Sequence, residues 1–135
     1  MTREDLKYYK HNQEWIKERL EYIERYKTTL TNITSVLSDM PHSSNKVQDK
    51  MAENIAIMLD NVNDLIEKVN ANAKKQKLIL EQLEKVEQPY RLILEKVYIQ
   101  GKSLVTTASE MNYSYEHMKH MNGISLNKFD KLNTK

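Results

Sequence analysis

The chain has 135 residues, of which 39% are hydrophobic and 30% are charged, and its formal net charge is +2. This length fits one compact domain or two small ones and excludes a long multidomain enzyme. Two Gly and two Pro are too few for the turns of a β-sandwich or barrel, so we expect an all-α protein. The absence of cysteine excludes disulfides and thiolate metal sites.

The distribution of charge and apolar residues excludes membrane insertion. The first twenty residues carry charge at nearly every helical turn, unlike a signal peptide. No stretch approaches the 18 apolar residues that a membrane span needs. We therefore expect a cytoplasmic protein without a membrane partner.

Two long helices are predicted in residues 1–87. The first runs from Arg3 to about Leu37, and the second runs from about Lys46 to Val86. A break is expected at residues 38–45, because Pro41 opposes helix and the Ser and Asn residues around it favour caps. Both helices have the 3–4 apolar spacing of a coiled coil, which predicts a long antiparallel helical hairpin. The spacing is formed by Leu6, Tyr9, Ile16, Leu20, Ile23, Leu30 and Leu37, and by Met51, Ile55, Met58, Val62, Leu65, Val69, Ile79, Leu83 and Val86.

Each predicted helix carries more apolar surface than one neighbouring helix can cover. A second apolar stripe runs beside the first, and exposed apolar area of this extent is typical of a subunit interface. We expect the hairpin to form a dimer or a higher homo-oligomer. The expected interface residues are Tyr8, Trp15, Tyr22, Tyr26, Ile33, Leu59, Ile66 and Leu80.

Residues 88–135 predict a second, smaller helical domain. A helix starts at Pro89 and is ended by Gly101. Next come a short helix capped by Ser103, a four-residue turn, and a further helix capped by Ser114. This order is typical of a helix-turn-helix element. Its expected interior consists of Leu104, Ala108, Met111 and Met118.

The outward face of the last helix offers donors, acceptors and an aromatic ring to a DNA groove. Residues 88–135 also hold the basic excess, with 7 basic against 4 acidic side chains, whereas residues 1–87 hold 14 against 15. The side chains expected to contact DNA are Lys102, Ser103, Ser114, Tyr115, Glu116, Lys119, His120, Asn122 and Lys128.

Residues 89–132 resemble the fourth region of bacterial sigma factors, with a corner that reads VYIQGKSL at residues 97–104. The sequence YSYEHMKHMNG at residues 113–123 is similar to the turn and recognition helix of ArpU/RinA-like late transcriptional regulators of Gram-positive phages. MPHSS at residues 40–44 resembles a turn in the helical N-terminal region of those proteins. The resemblance implies a sequence-specific, DNA-binding activator of late genes in a bacterial host cell. It also implies RNA polymerase as a further candidate partner.

A second hypothesis is a non-catalytic interaction protein. Its hairpin would bind RNA polymerase or another regulator, with the helix-turn-helix as a docking module, and the weakly basic face favours this reading. We expect no enzyme and no cofactor, because the chain has neither a Gly-rich phosphate loop nor a recognisable catalytic triad. His117 and His120 lie three residues apart, but two ligands on one turn do not predict a metal site.

Overall fold

A computed structural model describes residues 1–39 and 45–134. This part of the chain is all-helical and contains no β-strand. A π-helical turn, Glu95–Ile99, follows the fourth helix, and a 3₁₀ turn, Leu132–Thr134, follows the sixth. None of the described helices combines the length and hydropathy that a membrane span requires. The six α-helices are α1 (Arg3–Lys7), α2 (Tyr9–Asp39), α3 (Asn45–Glu84), α4 (Tyr90–Leu94), α5 (Leu104–Glu110) and α6 (Tyr115–Lys131).

The ends of the long helices lie close to the predicted positions. The first predicted helix is divided at Tyr8, although the Tyr8 N–H still bonds to the Glu4 carbonyl and the Asn12 N–H to the Tyr8 carbonyl. Helix α2 extends through Asp39 and α3 begins at Asn45. Of the predicted break at residues 38–45, residues 38, 39 and 45 are helical, and residues 40–44 lie outside the described residues.

The chain forms two compact units. One unit consists of Met1–Glu14 and Ala73–Lys135, and the other consists of Trp15–Asn72. The predicted domain boundary at residue 87 falls within the first unit, because residues from both ends of the chain and from the end of α3 share one core. Its buried members are Leu6, Tyr9, Ile79, Leu83, Val86, Leu94, Leu126 and Phe129.

Polar contacts join the first residues of the chain to α6 and to the 3₁₀ turn that follows it. The Arg3 backbone N–H and Nε donate to the two carboxylate oxygens of Asp130, at 2.7 and 2.5 Å. The Arg3 Nη2 also donates to Asn127 Oδ1 at 2.5 Å, and the Met1 ammonium group donates to Asn133 Oδ1. These contacts link segments that are more than 120 residues apart in the sequence.

Two glutamine side chains satisfy backbone carbonyls inside the same unit. Gln76, which interrupts the predicted apolar spacing, is buried and its Nε2 donates to the Tyr9 carbonyl at 2.9 Å. Gln82 Nε2 donates to the carbonyls of Met1 and Phe129, both at 2.9 Å. Buried polar groups are tolerated when they are hydrogen-bonded in this way.

The Trp15–Asn72 unit has an apolar cluster of its own. Ile23 of α2 packs with Val62 and Val69 of α3, and all three side chains are buried. Leu20, a predicted core position, is 50% exposed. The half-buried side chains around the cluster are Trp15, Ile16, Tyr26, Leu65 and Ile66.

The two glycines are expected to respond oppositely to replacement by alanine. Gly101 has φ +76°, so Gly101→Ala places a side chain in the left-handed region and should lower the free energy of unfolding by about 1–2 kcal/mol. Gly123 lies within α6, and no atom lies within 4 Å of an added Cβ. Gly123→Ala should therefore raise that free energy by about 0.5–1 kcal/mol. Urea unfolding followed by circular dichroism measures both, and equal stabilities would contradict the left-handed corner.

Candidate nucleic-acid interface

Helices α5 and α6 are joined by a tight turn over residues 111–114. The Met111 N–H bonds to the Thr107 carbonyl at 3.0 Å, and the Tyr113 N–H bonds to the Ala108 carbonyl at 2.9 Å. Asn112 has φ +59°, a left-handed conformation that Asn tolerates better than most residues. The backbone amides of Met111, Asn112 and Tyr113 are thus all hydrogen-bonded to carbonyls of α5.

A small apolar cluster packs α5 and α6 against α4. Ile93 of α4, Ala108 of α5 and Met118 of α6 are buried and pack together. The small side chain of Ala108 allows the helices to approach closely. The predicted interior is confirmed for Ala108 and Met118, while Leu104 and Met111 are half-buried against the same cluster. The remaining half-buried members are Val97, Tyr113 and Met121.

Both predicted serine caps are present. Ser103 Oγ accepts a hydrogen bond from the Thr106 N–H at 3.1 Å, and Ser114 Oγ accepts one from the His117 N–H at 3.1 Å. These bonds satisfy amides that a helix leaves without an internal partner. The two serines thus fix where α5 and α6 begin.

The first two turns of α6 expose four of the nine side chains predicted to contact DNA. Tyr115, Glu116, Lys119 and His120 are all exposed, and the Glu116 side chain is 82% accessible. Lys119 Nζ lies 3.2 Å from Glu116 Oε1 and 4.9 Å from the centre of the Tyr115 ring. The structure therefore brings three of the predicted residues into one cluster, with His120 exposed on the following turn.

Asn122 belongs to the packing of the unit. It is half-buried, and its amide exchanges hydrogen bonds with the Tyr98 hydroxyl at 3.1 and 3.2 Å. This bond connects α6 to the π-helical turn. Asn122, predicted to contact DNA, is thus held by Tyr98 and is not part of the exposed cluster.

Lys102, which is predicted to contact DNA, is paired with a carboxylate of α5. Lys102 Nζ lies 2.7 Å from Glu110 Oε1, and Lys96 Nζ lies 3.1 Å from Glu110 Oε2. The hydrogen bond from Lys102, and after it the one from Lys96, holds the pKa of the Glu110 carboxyl below its usual range. Lys96 was not identified from the sequence, because it lies 14 positions before Glu110 and no local pattern indicates their contact.

Lys128 lies at the other end of α6. Its Nζ is 2.7 Å from Glu87 Oε1 and 4.7 Å from the centre of the Tyr90 ring. The hydrogen bond to Glu87 raises the pKa of the Lys128 ammonium. No described contact links Lys128 to the Tyr115, Glu116 and Lys119 cluster.

The predicted interface residues divide into two groups. Trp15, Tyr26 and Ile66 are half-buried against the core of the Trp15–Asn72 unit, and Ile33 is half-buried as well. The other four are exposed, with Leu59 at 47%. These exposed residues are Tyr8, Tyr22, Leu59 and Leu80.

Replacement of Ser114 tests its role as the cap of α6. Ser114→Ala removes the acceptor for the His117 N–H and should lower the free energy of unfolding by about 1 kcal/mol. Ser114→Asp retains a capping oxygen and should keep the stability of the unaltered chain. Chemical denaturation compares the two variants, and an Ala variant as stable as the parent would argue against the cap.

Comparison with protein-family models, with curated proteins and with solved structures gives no match for this chain. In the part of the chain that the structure describes, no three His, Cys, Asp or Glu side chains are grouped so that they could hold a metal ion. A functional proposal therefore depends on the geometry of the chain's own residues.

Proposed function

We propose that this protein is a sequence-specific DNA-binding transcriptional regulator of a phage or phage-related element, acting in the bacterial cytoplasm as an activator of late genes. The observation that carries the proposal is the exposed cluster of Tyr115, Glu116 and Lys119 on a capped helix. A second helix, α5, and a tight turn precede it. The resemblance of residues 89–132 to sigma region four supports the same reading.

In this proposal the first turns of α6 enter the major groove, which is wide enough for an α-helix. Lys119 donates to a guanine edge or a phosphate, and Glu116 accepts from a cytosine amino group. In the free protein the two side chains pair with each other at 3.2 Å. On binding, each side chain replaces this contact with a contact to DNA. The contact with the Tyr115 ring restricts Lys119 before binding, which lowers the entropic cost of ordering it.

The proposed regulator is a homodimer formed through exposed apolar residues of the Trp15–Asn72 unit. Tyr22 and Leu59, two of the predicted interface residues, are exposed there. A groove beside Leu20 is lined by Ile23, Ile66 and Val69 together with polar side chains. A two-fold dimer would present two α6 helices to the two halves of a palindromic site.

The alternative is an interaction protein whose hairpin binds RNA polymerase or another regulator. The pairing of the lysines favours it: Lys102 is bound to Glu110, Lys119 to Glu116, and Lys128 to Glu87. These carboxylates reduce the positive potential that DNA would meet. Under this reading α5 and α6 dock a protein, and removal of Lys119 leaves that association intact.

Joint replacement of Lys119 and His120 by Ala tests the DNA-binding proposal. It should weaken binding to the preferred fragments of the source genome tenfold or more, since one well-placed base contact contributes about 1–3 kcal/mol. Lys77→Ala, at an exposed lysine of α3, is the matched control and should bind as the parent does. Fluorescence anisotropy at several salt concentrations measures all three proteins. Salt-insensitive binding by the parent, or none, would exclude the DNA-binding function and favour a protein partner.

A second experiment tests the dimer. Leu59→Lys places a charge on the expected interface and should shift the mass in solution to that of the monomer. Ile57→Lys is the control, because Ile57 lies on the same helix with similar exposure but outside the predicted stripe. Light scattering after gel filtration gives the masses. A parent protein that is monomeric at every concentration would overturn self-association, and an unchanged Leu59→Lys oligomer would overturn this interface.

A further inference from the structure

The left-handed corner at Gly101 holds a lysine from the N-terminal part of the chain. The Cε of Lys10 lies 3.4 Å from the position that a Cβ on Gly101 would occupy, and Cδ and Cγ lie 3.7 Å from it. The aliphatic stem of Lys10 therefore lies across the corner, at van der Waals distance from that position. Lys and Arg stems often cover a surface in this way while the charged group stays in water.

The backbone of Lys10 is fixed by its neighbour. Tyr9 is buried in the core of the Met1–Glu14 and Ala73–Lys135 unit, and its carbonyl accepts the hydrogen bond from Gln76. Lys10 itself is exposed. The core thus presents this side chain beside Gly101, two residues before the Ser103 cap of α5.

Positive charge exceeds negative charge around this corner. Lys96 and Lys102 share one carboxylate, that of Glu110. Within residues 1–39 and 45–134, no carboxylate lies within ion-pair distance of Lys10. Counted together, these three lysines and one glutamate carry a formal charge of +2, and Ser103 caps α5 directly after Gly101 and Lys102.

We propose that Lys10, together with Lys96 and Lys102, binds a DNA backbone phosphate beside the start of α5. This inference rests on the proposed DNA-binding function and extends it to a residue from the N-terminal segment. In helix-turn-helix proteins the first helix crosses the DNA backbone while the second enters the groove. A lysine ammonium binds phosphate as a point charge and needs no fixed angle. The contact contributes affinity without sequence preference.

The test is a salt titration of the full chain on a mixed-sequence DNA duplex. Lys10→Ala should weaken binding about three- to tenfold at low salt and reduce the slope of log K against log salt by about one, because one fewer counterion is released. Lys10→Arg should restore both values. Lys77→Ala removes the same charge from an exposed position of α3 in the same unit and should keep the parent slope.

The outcomes separate this inference from the function on which it rests. Parent binding that depends on salt, with an unchanged slope in Lys10→Ala, overturns the Lys10 site and leaves the DNA-binding proposal standing. Equal losses in Lys10→Ala and Lys77→Ala indicate a general effect of net charge and also overturn the site. A parent protein that does not bind the duplex overturns both. Matching thermal unfolding curves of parent and variants show that lost affinity does not come from lost folding.

Discussion

Burial of Phe129 is the interaction on which the larger unit depends. The ring has no exposed surface and lies in one core with Leu6 from the start of the chain and Leu83 from the end of α3. Burying a side chain of this size contributes about 1.5–3 kcal/mol. Because Leu94 of α4 belongs to the same core, the segment that leads to α5 is anchored there as well. The exposed turns of α6 are presented from a support that draws on both ends of the sequence.

The local features of the fold could be predicted, because they depend on neighbouring residues. The two long helices follow from apolar spacing, the starts of α5 and α6 from Ser103 and Ser114, and the corner from Gly101. The limits of the two units could not be predicted. They depend on contacts such as the one between Arg3 and Asp130, for which the sequence has no local signal.

Some residues of the candidate site could likewise be predicted from the sequence, and others could not. Helical periodicity is enough to predict that Tyr115, Glu116 and Lys119 share an exposed face. The same periodicity places Asn122 on that face. It cannot show that the Tyr98 hydroxyl, on a different element, binds the Asn122 amide. Lys10 could not be predicted at all. Its position beside Gly101 requires the folded core, not any motif.

The amide of Gln82 has a consequence for the chemical ageing of the protein. Its nitrogen donates to the Met1 and Phe129 carbonyls, so one NH₂ group joins the first residue to α6. Deamidation would replace this donor with a carboxylate oxygen, which faces the same two carbonyls as an acceptor. Three acceptors would then meet without a hydrogen between them, and the half-buried negative charge would add its own desolvation cost. Slow hydrolysis of one side chain would therefore loosen the N-terminus from α6 while leaving the apolar core chemically intact.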